Sequence, residues 1–305
     1  MKEKLGWILS LTLCFALMIA ATLVTASASA SVSYIDANGD EQTCDSATVV
    51  TESSIEWTGG WYVVKGNVTI DQRITVTGSV HLILKDGCNL TVNGGINVTD
   101  TNSLTIYGQE NGTGALTANG GFLQAAIGGY NYSGGGNITI NGGTVTATGG
   151  QSAAGIGGDF AGVGDTITIN GGIVKATGGS DGFGGGAGIG GGGQSSNATR
   201  IKITGGVIIA EGGSNGAAGI GGGGHDGKLE SISITGGWIQ ATGHRKNGQD
   251  DDANQGYANA IGGGAGDGGG PADPENFSNT VIIDGHTQKG TVYGSASLEE
   301  NAEIP

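Results

Sequence analysis

From Asn137 to Gly150 the chain reads NITINGGTVTATGG: apolar and polar residues alternate, break at Asn-Gly-Gly, alternate again and stop at Gly-Gly. Versions of this stretch recur at Thr166–Gly179, Arg200–Gly213 and Ser231–Gly243. Period-two alternation predicts strands with one buried face. Aligned, Ile138 and Ile140 match Ile167 and Ile169, Ile201 and Ile203, and Ile232 and Ile234. After the glycine corner, Val145 with Ala147 matches Val174 with Ala176, Ile208 with Ala210, and Ile239 with Ala241. A third element, Ala-Ile-Gly-Gly or Gly-Ile-Gly-Gly, carries Ile127, Ile156, Ile189, Ile220 and Ile261, spaced 29, 33, 31 and 41 residues apart. Three short strands per period, with no helical pattern between them, predict an all-β chain coiled as a parallel β-helix, a solenoid.

One rung buries only four or five aliphatic side chains, too few to offset the entropy of ordering about 30 residues. The rungs must therefore stack, and their equivalent residues must form internal ladders. Glycine supplies the positive φ that sharp corners demand. Asn141 and Asn170 align at one corner, with Thr204 and Thr235 replacing them further along.

Before Gly120 the same grammar is looser and more hydrophobic: Val80–Leu84, Leu90–Val98 and Leu104–Tyr107 read as early rungs with richer cores. Residues 31–66, with Trp57, Trp61 and Tyr62, read as an N-terminal cap and first strands, since a solenoid must cover its open end. Residues 67–294 form the β-helix, with Val281–Gly285 and Thr291–Tyr293 as its last rung. Residues 247–256 and 266–279 have the composition of loop insertions, and 295–305 is an acidic tail.

Composition narrows the class further. The 67 glycines in 305 residues are roughly three times ordinary usage. With only 3 prolines, and glycine not at every third position, collagen is excluded. Residues 1–30 read as a signal peptide: Lys2 and Lys4 precede an apolar run from Leu5 to Val24, and Ala28-Ser29-Ala30 fits a cleavage site. Left uncleaved, the same run would serve as a membrane anchor, the one way this chain would meet a membrane. Leu13 is too bulky for a lipidation signal at Cys14, so Cys14 leaves with the signal. The mature chain is expected to be exported, as a secreted or cell-surface protein.

Cleavage removes Lys2, Lys4 and Glu3, leaving 10 basic against 26 acidic residues and a net charge of −16. Such a surface repels phosphate backbones and excludes nucleic acid as a partner. It keeps the chain soluble and, as a second reading, offers carboxylates to divalent cations such as Ca2+. Export permits a Cys44–Cys88 disulfide, although two cysteines do not by themselves fix one.

The segments GGWYVVKGNVTI, VHLILKDGCNLTV and NSLTIYGQ, with recurring AGIGGG and ITINGG, resemble a family of exported, glycine-rich bacterial surface proteins. The resemblance covers roughly residues 33–243. It implies a right-handed parallel β-helix of carbohydrate-binding or adhesin-like type, and it brings no defined catalytic motif.

Catalytic patterns fare poorly. Asp36–Glu41 begins like a calcium loop, but an EF-hand needs glycine sixth and glutamate twelfth, where Glu41 and Ala47 stand. Asn38-Gly39 is better read as a hairpin turn. Arg200-Ile201-Lys202 matches a tripeptide of polygalacturonase-like hydrolases without their other motifs, and Ile201 is an inward rung residue. A polysaccharide lyase needs a base beside a uronate carboxylate, commonly with calcium. Lys175 and Lys202 stand on outward strand positions, and Arg245 and Lys246 on a loop, with no acidic cluster around them. The N-x-T/S triplets follow from alternating composition. A threonine array for ice begins at Thr146 and Thr148 but meets Lys175 one rung later.

Aromatic side chains carry the strongest functional signal, because sugar rings present apolar faces that stack on them. Trp238 holds the rung position of Thr144, Ile173 and Val207 and points outward by alternation. Tyr130, Tyr132 and Phe160 follow the Ile-Gly-Gly elements, on loops that stack along one edge. The expected function is a structural or adhesive solenoid binding polysaccharide or surface glycan along that edge. A pectate-lyase-like enzyme on acidic polysaccharide is the alternative.

Overall fold

A computed structural model describes residues 29–298, apart from 134, 163–165, 181–183, 195–199, 226, 228–230, 245–258, 265–280, 284–285, 289–291 and 294. The signal segment up to residue 28, both insertions and residues 299–305 lie outside the described residues. Among those described there are strands, turns and bends and no helix.

A representative rung has a two-residue corner strand, Ile127–Gly128, then long strands Asn137–Ile140 and Thr144–Thr148. Each pairs in parallel with its equivalent one rung on: Ile127 with Ile156, Ile138 with Ile167, Val145 with Val174. The registers expected from the alternation hold rung by rung. The corner column runs Ile74, Ile96, Ile127, Ile156, Ile189, Ile220, Ile261. All seven are buried and belong to one continuous aliphatic core. This is a parallel β-helix. Its core also tapers: the column that opens with Ile70 and Val92 continues as Ala118, Ala147, Ala176, Ala210 and Ala241.

The corner needs glycine at one position above all. Gly128, Gly157, Gly190, Gly221 and Gly262 stack at φ between +130° and +139°. A Cβ on Gly157 would stand 2.0 Å from the Gly190 carbonyl oxygen. At the other corner the expected polar ladder forms: Asn170 Nδ2 donates to Asn141 Oδ1 and Thr204 Oγ1 donates to Asn170 Oδ1, both at 2.8 Å. These bonds join successive rungs through side chains as well as backbone.

The N-terminal segment packs along the side of the coil. Strands β1 (Ser29–Ile35) and β2 (Glu41–Val49) form an antiparallel hairpin whose turn contains Gly39 at φ +87°. Asp36 accepts the amides of Asn38 and Asp40 within that turn, so this acidic stretch is a hairpin. Next come β3 (Glu56–Val64), β4 (Asn67–Ile70) and β5 (Ile74–Leu84), and β3 pairs in parallel with β5. The hairpin lies over the outer side of these first rungs. There Val32, Cys44 and Ala47 pack on Val63, Ile83 and Tyr107 as a second, smaller core. Trp57 is buried in the main core and stacks on Tyr62 at 5.4 Å.

Cys44 and Cys88 are both free thiols, and the disulfide that export would permit is not formed. The reason is placement: Cys44 sits in the outer core and Cys88 in the inner one.

An aromatic stack pins the hairpin. Tyr34 lies 4.8 Å from Trp61, which stacks on His81 at 4.5 Å, and His81 Nδ1 is 3.2 Å from the Tyr107 hydroxyl. Burial pushes the His81 pKa down. The folded chain therefore prefers neutral His81, while the unfolded chain takes up a proton below about pH 6.5. Stability from this group is present above that pH and is lost as pH falls towards the folded pKa. The melting temperature is expected to drop between about pH 7 and 5.5, and His81→Phe to flatten that part of the profile. A wild-type melting temperature constant over the window would contradict this.

At the far end Val281–Ile283 continues the first long face by pairing in parallel with Ser231–Ile234. The chain then reverses. His286–Gln288, Val292–Tyr293 and Ser295–Leu298 all pair antiparallel to their neighbours. The last-rung reading of Thr291–Tyr293 thus gives way at Val292 and Tyr293 to a returning strand. Antiparallel cover satisfies edge groups that no further rung would pair.

Candidate functional site

Two loops following corner strands bring three of the four aromatics expected from the sequence together. Tyr130 and Tyr132 belong to the loop after Ile127–Gly128, and Phe160 to the loop one rung on, after Ile156–Gly157. The rings of Tyr132 and Phe160 meet edge to face with centroids 6.2 Å apart. Tyr130 is 38 % exposed and Tyr132 59 %, so both present ring surface to solvent. The fourth residue, Trp238, is half-buried on the second long face, in register with Val207. It stands three rungs further on, about 14 Å along the axis at ~4.8 Å per rung. A glycine corner and a long strand also separate its position from the tyrosine loop. The four side chains do not form one cluster.

Two ionisable residues absent from the sequence reading support this corner. Arg73 lies beneath Tyr130, its guanidinium carbon 5.0 Å from the ring centroid. Its Nη1 donates to the carbonyls of Gly94 at 2.9 Å and Ala125 at 3.0 Å, and its Nη2 to that of Gly129 at 3.0 Å. One side chain thus ties three successive corner turns together. Burial lowers the Arg73 pKa to about 10, which leaves it charged at neutral pH. Asp159 is buried, and its Oδ2 accepts the Tyr132 amide. Burial raises its pKa, against the amides of Tyr132, Ala161 and Gly162, which favour the charged form. Arg73 gave no sequence signal because it falls between strands, outside the alternation. Asp159 was hidden by standing in the glycine-rich loop beside Phe160.

A third omission is Phe122, 72 % exposed, on the loop that precedes the corner strand Ile127–Gly128. The next residue, Leu123, accepts the Phe160 amide through its carbonyl at 3.4 Å. The Phe122 loop therefore lies against the Phe160 loop. The available signal was Phe-Leu directly after Gly120-Gly121, where the next rung has Gln151-Ser152.

The basic residues considered for catalysis are dispersed. Lys175 is exposed with Thr146 and Ile209 in the flanking rungs, and Lys202 with Thr168 and Ser233. Arg245 and Lys246 lie outside the described residues. Among the described residues no group of three His, Cys, Asp or Glu side chains could hold a metal ion.

No curated protein and no solved structure matches the chain. A family model described as a beta helix repeat matches residues 138–160, 167–193 and 201–224, which are three successive rungs of the coil.

Proposed function

We propose that the chain is an exported structural or adhesive β-solenoid that binds polysaccharide through aromatic side chains outside its aliphatic ladders. The observation that carries this reading is the exposed pair Tyr130 and Tyr132, joined by Phe160 and set on a corner braced by Arg73. Sugar rings offer apolar faces to such side chains, and one aromatic contact contributes about 1 kcal/mol. A single ring binds weakly, so useful affinity requires several engaged at once. Trp238, further along the axis, gives a long polysaccharide a second contact that a short one would not reach.

Affinity electrophoresis through gels containing polysaccharide tests the reading. Tyr132→Ala is expected to weaken retardation roughly fivefold, the equivalent of about 1 kcal/mol. Trp238→Ala is expected to weaken binding of long chains only, with the melting temperature nearly unchanged. Early unfolding of the Trp238 variant would make that ring packing, not contact. Release of unsaturated uronate absorbing in the ultraviolet would replace the binding module with a lyase.

A further inference from the structure

Two turns at the aromatic corner hold bulky residues where turns ordinarily hold glycine. In Gly121–Gln124 the Gln124 amide donates to the Gly121 carbonyl, and Leu123 takes φ +57° at the third position. A type II turn reserves that position for glycine or asparagine. In Tyr130–Ser133 the Ser133 amide donates to the Tyr130 carbonyl, with Asn131 at φ +59° and Tyr132 at +61°. That pattern belongs to Asn-Gly turns, and tyrosine stands in the glycine place. The left-handed backbone itself recurs along the coil: Ser152 and Gly216 hold the position equivalent to Leu123 at φ +51° and +86°, and Gln194 and His225 hold that of Tyr132 at +59° and +55°. At this corner those left-handed positions carry the bulky Leu123 and Tyr132 beside exposed rings, where Ser152, Gln194 and His225 stand in other rungs, and that difference points to a use for the side chains themselves.

Charge is the second observation. Residues 120–133 contain no Asp, Glu, Lys or Arg, and residues 150–162 contain only Asp159, which is buried, in a chain with 27 acidic residues. The exposed polar side chains of these stretches, Tyr130, Asn131, Tyr132 and Gln151, offer only amides and hydroxyls. Arg73 joins the two turns: beyond its bonds to Gly129 and Ala125, its Nη1 lies 3.4 Å from Gln124 Oε1. Phe122 and Leu123 are thereby fixed relative to Tyr130 and Tyr132.

Resting on the polysaccharide-binding reading above, we infer that Phe122 and Leu123 complete the site of Tyr130, Tyr132 and Phe160, and that this site selects an uncharged polysaccharide. Apolar ring faces meet the aromatics, and sugar hydroxyls meet the uncharged polar rim. An acidic polysaccharide would find no cation on the exposed rim to balance it and would be repelled by the chain's overall negative charge.

The test is electrophoresis of the mature chain in gels containing hydroxyethylcellulose or polygalacturonate, with thermal melts of each variant. The parent is expected to be retarded by the neutral polymer and not by the acidic one. Phe122→Ala should reduce that retardation severalfold with an unchanged melt. Leu123→Gly should also bind less well, yet melt about 2–4 °C higher, because it relieves a left-handed leucine. A merely structural Leu123 would give the reverse, a lower melt with full retardation. Equal or stronger retardation by polygalacturonate overturns the selectivity, and full retardation of Phe122→Ala overturns the role of Phe122. Both results leave polysaccharide binding standing. A parent retarded by neither polymer removes the binding reading itself. Self-association in sedimentation that Phe122→Ala abolishes would assign the corner to a second copy of this chain.

Discussion

Ile169→Asp is expected to leave the chain without a cooperative melt at ambient temperature. Ile169 is buried in the column formed by Ile106, Ile140, Ile203 and Ile234, with aliphatic neighbours in the rungs on both sides. A carboxylate there either ionises without a partner or is held protonated at the expense of its solvation. The cost is at least ~4–5 kcal/mol, comparable to the whole stability of many domains. Ile169→Val, which removes one methylene, should cost only about 1 kcal/mol. Circular dichroism against temperature separates the two variants, and an aspartate variant as stable as the parent would contradict the buried ladder.

Gly157→Ala is expected to be nearly as damaging, through the backbone alone. At φ +130° an L side chain is strained, and the new Cβ would stand 2.0 Å from Gly190 oxygen and 2.9 Å from its carbon. Both atoms belong to the backbone of the next rung, so relief requires the rungs to part and their hydrogen bonds to lengthen. The expected loss is ~3–5 kcal/mol. Gly39→Ala provides the control: its φ is +87°, but nothing lies within 4 Å of the added carbon. That variant should lose only about 1–2 kcal/mol, the cost of left-handed backbone by itself. Similar melts for the two variants would show that stacking contributes nothing at the corner.

Most of the coil was legible because a solenoid repeats one local rule. The alternation in NITI and TVTAT is the burial pattern of Asn137–Ile140 and Thr144–Thr148, and the Asn141–Asn170 ladder follows from aligning the rungs. The position of the hairpin was not legible, because its packing on the outer face is a long-range contact. Its trace in the sequence is a break in alternation: Tyr62-Val63-Val64 and Leu82-Ile83-Leu84 are continuous apolar runs, as strands buried on both faces require. The aromatic corner was half legible. Tyr130, Tyr132 and Phe160 stood out against glycine, whereas Arg73 lies 57 residues before Tyr130 in the chain and meets it only when the rungs stack.

The sameness of the later rungs has a consequence for how such a chain can change in length. From Gly128 to Gly262 the corner column repeats one residue type, and from Ala118 to Ala241 the inner column does the same. Each of these rungs offers its neighbours on either side nearly the same surface, so a whole rung could be excised or duplicated and the cut faces would still fit. Removing residues 156–188 would bring Ile127 against Ile189 and Gly128 against Gly190, pairings of the kind already present. Half a rung could not be removed in this way, because isoleucine would then face threonine. Insertions and deletions in this coil are thus quantised, and whole turns are the unit in which it can grow.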